Sequence, residues 1–407
     1  MTIKRWLGII ASVFRNVVSQ KTTIISRHLQ KICTLWRWTR GLFRSPWPLI
    51  SFPTDGCEII EDFVVLEEEN TKTFSNGDFY PVAIGDLLDS RYQVVGKLGF
   101  GISSTVWLAR DLCNRRFVSL KLYSRKEHKD NGKEYEICSQ LQQPSEHLGR
   151  EYVRGVLDTF TLPRDGGDHQ CLVQTPLWWS LEELLAVLPN CEMNELMIKS
   201  VAEQLLVALD YLHTECKLVH TDIKPANIMQ EITDDSVFEK FIQAELKTPT
   251  PRKMIGDKII YNSRRFEPPK VLDQVLLCDF GSTVQGEETR NNNAQPTIFQ
   301  SPEVMLQVNW SYPADVWNLG VMIIEVLGPP PLDLLQQGAR SSEFFDEKGD
   351  WKVDDVEIKP QKLADLEHRL KGEDKEQFLS FMAGMLQWRQ EDRKTAAELL
   401  QDPWLKS

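Results

Sequence analysis

The stretch His220-Thr221-Asp222-Ile223-Lys224-Pro225-Ala226-Asn227, followed downstream by Asp279-Phe280-Gly281, decides how this chain is read. One aspartate stands two residues before a lysine and five before an asparagine, and a second aspartate opens an Asp-Phe-Gly turn. Moving a phosphoryl group needs such a set: a carboxylate facing the accepting hydroxyl, and an amide plus a second carboxylate holding a divalent cation against phosphate oxygens. An isolated aspartate is more often a turn or a helix cap. The joint spacing of Asp222, Lys224, Asn227 and Asp279 argues against that bland reading.

Working upstream, Leu98-Gly99-Phe100-Gly101-Ile102-Ser103-Ser104-Thr105-Val106 precedes Val118-Ser119-Leu120-Lys121. Gly99 and Gly101 would let the backbone approach phosphates without a Cβ in the way. A lone Gly-x-Gly is a weak signal, and Ser104 stands where a third glycine would strengthen it. Lys121 needs an acidic partner. Glu134, Ile137 and Leu141 share one face of a helix, whereas Glu136 points about 200° away from Glu134. Glu134 is therefore favoured over Glu136, although both could be solvated helix charges.

In this order the motifs resemble those of the protein kinases. The resemblance implies an α+β, bilobal protein kinase fold, with a β-rich small lobe carrying one main helix and a larger helical lobe. It implies ATP and Mg²⁺ as cofactors and protein hydroxyls as acceptors. Asp222 would then be the catalytic base and Lys224 would steady the γ-phosphate. Asn227 and Asp279 would ligate Mg²⁺. Leu98, Gly99, Gly101, Val106, Lys121, Glu134, Gln174 and Leu177 would line the nucleotide site. Ser301-Pro302-Glu303 occupies the position of Ala-Pro-Glu, Asp315 would bond the catalytic-loop backbone, and Arg393 would pair with a buried Glu303.

Four segments are more specific and resemble the SR-protein kinases, in particular their short fungal relatives: Tyr80–Asp86, Leu218–Pro225, Cys278–Ser282 and Tyr312–Gly320. The resemblance spans about residues 80–405 and implies serines flanked by arginines as substrates. Thr221 replaces the catalytic-loop Arg that in many kinases clamps an activation-loop phosphate. Its absence removes the electrostatic reason for phosphorylation to switch the enzyme on, so constitutive activity is expected. Gln300, Gln174 and Trp178-Trp179 depart from the family pattern. The alternatives are a pseudokinase or scaffold that binds nucleotide and partners without turnover, and a small-molecule kinase. The complete set of Lys121, Glu134, Asp222, Asn227 and Asp279 opposes the first. Ser-Pro-Glu with Asp315 and Arg393 opposes the second.

Composition bounds the rest. The chain has 407 residues and a formal net charge of −12. Residues 1–50 hold nine Lys or Arg and no acid, leaving −21 for the remainder. An acidic body favours basic partners and disfavours nucleic acid. A basic Arg/Ser-rich substrate would be steered to acids such as Glu343, Asp346, Glu347, Asp350, Asp354, Asp355 and Glu357. The eight cysteines are scattered singly with no Cys-x-x-Cys pair, which argues against a zinc site and a disulfide framework. The expected compartment is cytoplasm or nucleus, and the expected state a monomer.

Four regions are expected. Residues 1–57 form a basic amphipathic extension and a Pro-containing linker, and 58–91 an acidic strap and lead-in. Residues 92–177 form the small lobe. Residues 178–407 form the large lobe, with an insertion at 229–272. The composition of 1–50 suits a mitochondrial presequence or a basic helix on an anionic membrane, hence contact with membrane or import machinery. It also suits a disordered tail or a wrongly extended gene model. The strap, with Glu61, Asp62, Glu67, Glu68 and Glu69, is expected to lie loosely. Asn227 and Asp279 stand 52 residues apart, and the Pro-, Lys- and Arg-rich part of that insertion, 245–270, reads as a surface loop.

Overall fold

The computed structural model describes residues 45–125, 128–141, 143–188, 193–256, 258–267, 274–288, 290–323, 340–341 and 370–407. The basic residues of 1–44 and the acidic stretch 343–357 lie outside the described residues. The chain divides into two compact units. The first comprises residues up to Tyr135, Gly155–Trp178 and Glu231–Asp273. The second comprises Glu136–Arg154, Trp179–Gln230 and Gln274–Ser407.

The first unit is built on a six-stranded antiparallel sheet of β1 (Leu87–Leu88), β2 (Tyr92–Phe100), β3 (Ser104–Asp111), β4 (Arg116–Tyr123), β5 (Val156–Leu162) and β6 (His169–Gln174), in spatial order β1-β2-β3-β4-β6-β5. Side chains alternate across a strand. In β4, Val118, Leu120 and Leu122 therefore enter one core with Val94, Trp107, Ala109 and Val173, while Lys121 and Tyr123 lie on the other face. Between β2 and β3 the register slips twice, at Val94/Gly96 and at Lys97/Gly99. Such bulges bend a strand and re-aim its side chains.

The insertion is not a surface loop. It folds as a helix, Ser236–Lys247, and a hairpin pairing Arg252–Ile255 with Lys258–Tyr261. Val237, Phe238, Phe241 and Ile242 are buried along the helix, a spacing that lines one helical face. Phe238 meets Phe117 of β4 at a centroid distance of 4.8 Å. Tyr261 joins the sheet core and stands edge-on to Trp107 at 5.8 Å.

The strap is not loose either. Ile60 N–H donates to Arg252 O at 2.9 Å and Arg252 N–H to Glu58 O at 3.0 Å, so the strap runs beside the hairpin. Lys253 Nζ donates to Glu69 Oε1 at 2.9 Å and to Val64 O at 3.1 Å. The Pro-containing linker is also docked. Trp47 packs against Phe117 in a tilted arrangement at a centroid distance of 5.4 Å beneath the Arg110 guanidinium, and Ile50 N–H donates to Gln93 Oε1 at 3.0 Å.

The second unit is mostly helical. Helix Glu195–Asp210 starts from Asn194, whose side chain accepts from Met197 N–H as an N-cap should. It buries Ala202, Leu205, Leu206 and Leu209. Helices Pro313–Ile323 and Gly372–Met385 follow, the latter placing Phe378 and Phe381 against Trp404 at 4.9 Å each. Arg393 Nη1 and Nη2 each donate at 2.6 Å to an oxygen of Glu303, a bidentate pair with both residues buried. Among the described residues no helix is long and apolar enough to cross a membrane.

Candidate active site

In the second unit, short antiparallel pairing of Ile228–Glu231 with Val275–Leu277 sets Asn227 beside Cys278, whose N–H donates to Asn227 O at 2.8 Å. Residues 51 apart in sequence are thus brought to one place by backbone hydrogen bonds. Pro225 opens the short 3₁₀ turn Pro225–Asn227, where a missing N–H costs nothing. Lys224 Nζ donates to Asp222 Oδ1 and Oδ2 at 3.0 and 2.9 Å. Asn227 Nδ2 donates to Asp222 Oδ2 at 2.7 Å and to Asp222 O at 2.9 Å. Three of the quoted residues therefore form one hydrogen-bonded cluster around the Asp222 carboxylate. With Nδ2 committed to Asp222, Asn227 keeps Oδ1 as an oxygen donor, and the Asp279 carboxylate lies exposed at the start of Asp-Phe-Gly. An amide oxygen with a carboxylate suits Mg²⁺, a hard cation that takes oxygen ligands.

The loop is held from beneath. Asp315, fully buried, accepts from His220 N–H at 2.7 Å, from Thr221 N–H at 2.8 Å and from His213 Nε2 at 3.0 Å. Thr221 and Asp279 both sit at left-handed backbone angles, φ 68° and 66°. Such angles cost non-glycine residues of order 1–3 kcal/mol and persist only where surroundings impose them. His220 Nδ1 accepts from Asp222 N–H at 3.2 Å, so its proton sits on Nε2, which donates to Cys278 O at 3.2 Å. Burial holds the imidazole below its ordinary pKa despite nearby Asp315, Asp222 and Asp279. Phe280 is buried and meets the His220 ring edge-on at 5.1 Å.

Several ties of the segment after Asp-Phe-Gly are made by neutral groups. Thr221 Oγ1 donates to Ser282 O at 2.9 Å. Gln295 Oε1 accepts from Ser301 N–H at 2.8 Å and its Nε2 donates to Ala314 O at 2.9 Å. Gln300 Nε2 bonds Asn293 Oδ1 at 2.7 Å and Ala294 O at 2.9 Å.

In the first unit, Lys121 Nζ lies 3.0 and 3.1 Å from the two Glu134 oxygens; Glu136, where the second unit begins, is exposed. The phenol of Tyr123 also donates to Glu134 Oε2. Reading the motifs alone misses Tyr123. The signal was available, because a residue two places beyond Lys121 in a strand shares its face. Burial, ahead of every other influence, pushes the Tyr123 hydroxyl far above its usual pKa, so it stays a donor.

Gly99 pairs with Val106 across the β2–β3 hairpin, and Gly101 N–H donates to Ser104 O at 2.7 Å, closing the turn. Ser104 thus begins β3 instead of extending the glycine loop. A Cβ on Gly99 would meet nothing within 4 Å, which leaves the room a phosphate needs. Leu98 and Val106 are half-buried, Leu177 is buried, and Gln174 is buried at the end of β6, opposite Ser119.

Residues 92–405 match the protein kinase domain family. A serine/threonine protein kinase of Aspergillus fumigatus is 35% identical over 401 residues, covering 91% of this chain and 98% of that protein. The serine/threonine-protein kinase SRPK of Physarum polycephalum is 27% identical over 395 residues, covering 84% and 92%. SRSF protein kinase 3 of Mus musculus is 39% identical over 172 residues, covering 41% and 30%. A kinase-domain crystal structure superposes with a TM-score of 0.62 over 81% of this chain and 99% of that one, at 20% identity, a likeness of fold. The chain belongs to the protein kinase family, and it is a serine/threonine protein kinase similar to fungal members and, at lower identity over a comparable length, to the Physarum SRPK.

Proposed function

We propose that this kinase transfers the ATP γ-phosphate to serines in basic, Arg-rich segments and needs no activating phosphorylation. The observation that carries the chemistry is the Asp222 carboxylate, bracketed by Lys224 Nζ at 2.9 Å and Asn227 Nδ2 at 2.7 Å. Asp222 accepts a hydrogen bond from the substrate hydroxyl and orients it. As that oxygen bonds to the γ-phosphorus, the bridging oxygen leaves with ADP and the proton passes late to Asp222. Lys224 places a positive charge beside the transferring group. Asn227 and Asp279 would hold Mg²⁺, which neutralises charge developing on the phosphate oxygens. Lys121, fixed by Glu134, would pair the α- and β-phosphates.

Constitutive activity is supported by the bonding of residues 282–301. Thr221 reaches Ser282 by a hydroxyl, and Gln295 and Gln300 bond Ser301 and Ala294 as amides. None of these bonds requires a phosphate. The basic substrate class rests on the acidic body of the chain and on its similarity to the Physarum SRPK kinase.

The test is labelled phosphate transfer from Mg-ATP to an Arg-Ser repeat peptide, beside a general acceptor protein and the Asp222→Asn variant. Labelling of the repeat peptide should dominate and fall by about 10²–10⁴ in the variant. Equal rates for variant and wild type would remove Asp222 as base. Labelling confined to the general acceptor would overturn the basic-substrate assignment alone.

A further inference from the structure

The strand that leads into the glycine turn is gripped by two segments far away in sequence, and one lysine joins them. Lys97 is completely buried although it precedes Leu98-Gly99-Phe100-Gly101 directly. Its Nζ donates to Glu67 Oε2 at 2.6 Å, to Glu68 Oε2, and to Tyr261 O at 3.0 Å. Glu67 in turn accepts from Ser263 N–H at 2.5 Å and from Ser263 Oγ at 2.8 Å. The acidic strap supplies the carboxylates and the insertion supplies the carbonyl. A buried ammonium is tolerable only with such partners.

The insertion holds the same two residues of β2 in other ways. Arg264 N–H donates to Lys97 O at 2.8 Å. The Phe241 ring lies so close to Gly96 that a Cβ there would stand 2.7 Å from Cε1. Gly96 and Lys97, paired with Leu108 and Trp107 of β3, lie between the two register slips of β2, at Val94/Gly96 and Lys97/Gly99. Lys97 Nζ also lies 5.5 Å from the centre of the Phe100 ring, the exposed aromatic between the two glycines. A cation at that distance attracts the ring face.

We propose that Lys97 is a positioning residue for nucleotide binding: through it the strap and the insertion set the course of β2 into the Gly99–Gly101 turn. The inference rests on the reading that this turn approaches the phosphates. Lys97 touches no substrate in this scheme. It acts by fixing the strand, so its loss should weaken ATP and leave the protein acceptor unaffected.

The experiment measures KM for ATP, KM for the acceptor, kcat, ADP affinity by equilibrium binding, and thermal melting on the full chain. Lys97→Met is compared with Lys97→Met/Glu68→Gln, which removes a buried carboxylate together with its cation, and with Gly96→Ala, which pushes on Phe241 from the strand side. KM for ATP and Kd for ADP should rise about tenfold in the lysine variants and in the same direction in Gly96→Ala, with the acceptor KM unchanged. If Lys97→Met does not fold, the other two decide by the same criterion. A lower melting temperature with unchanged ATP and ADP affinity would overturn the proposal and leave a merely structural ion cluster. Equal losses in acceptor and ATP terms would also overturn it. Lys121→Met is run alongside: unchanged nucleotide binding and turnover there would instead sink the nucleotide-site reading, whatever the Lys97 variants do.

Discussion

At the scale of single residues, the site works by fixing groups that are costly to fix. The left-handed Thr221 is held because Asp315 takes its N–H and Ser282 its hydroxyl. Asp315→Ala should therefore lower kcat more than it lowers acceptor binding, measured as the split between kcat and KM. Tyr123→Phe removes one donor to Glu134 and should cost about 1 kcal/mol in ATP affinity, a few-fold rise in KM. No change would mean that Lys121 alone orients Glu134. His220 gives a pH signature. Its pKa is depressed by burial in the fold and returns to its ordinary value, near 6.5, when the chain unfolds. Below that value the unfolded chain binds more protons, so stability contributed by neutral His220 falls as pH drops from about 6.5. Urea midpoints between pH 8 and pH 5 should show a decline that is flatter in His220→Phe.

At the scale of elements, the insertion is part of the small core. Helix Ser236–Lys247 buries Phe238 and Phe241, and the hairpin buries Tyr261. Phe241→Ala should cost about 3–5 kcal/mol, read as a shift in the denaturant midpoint. Replacing 231–273 by a short turn should expose Phe117 and Trp107 and yield insoluble or poorly folded protein. A well-folded deletion with wild-type melting would show that the sheet core is complete without it. In the second unit, Arg393→Ala strands the Glu303 carboxylate in the core and should cost about 3–5 kcal/mol. The helical spacing of Val237, Phe238, Phe241 and Ile242 was legible, but the Pro- and Lys-rich run beside it drew the loop reading. The burial of Glu68 and half-burial of Glu67 were not legible, because an acidic run is ordinarily a solvated one.

At the scale of the whole molecule, the acidic strap and the basic hairpin belong together. Lys253 with Glu69, and Lys97 with Glu67, cross 184 and 30 residues of chain. Truncation therefore has a boundary. Removal of residues 1–44 should leave melting and turnover unchanged, whereas removal through Ile50 should lower the melting temperature, because Trp47 and Ile50 are docked on the sheet. Phosphatase treatment should leave the specific activity unchanged. A loss on dephosphorylation would show that amide hydrogen bonds do not suffice to order residues 282–301.

The chemistry was readable from sequence alone because it is local. Asp222, Lys224 and Asn227 lie within six residues of chain, close enough for their side chains to meet, and Asp-Phe-Gly brings back the carboxylate proposed to hold Mg²⁺. The β-to-helix change of pattern gave the fold class for the same reason, since periodicity is a short-range property. Tertiary structure alone decided which charges are buried. Lys97 reads like any surface lysine until Glu67, Glu68 and Tyr261 converge on it from segments no sequence rule connects. Desolvation and ion pairing depend on what surrounds a group in space, and that environment exists only once the strap, strand and insertion have folded together.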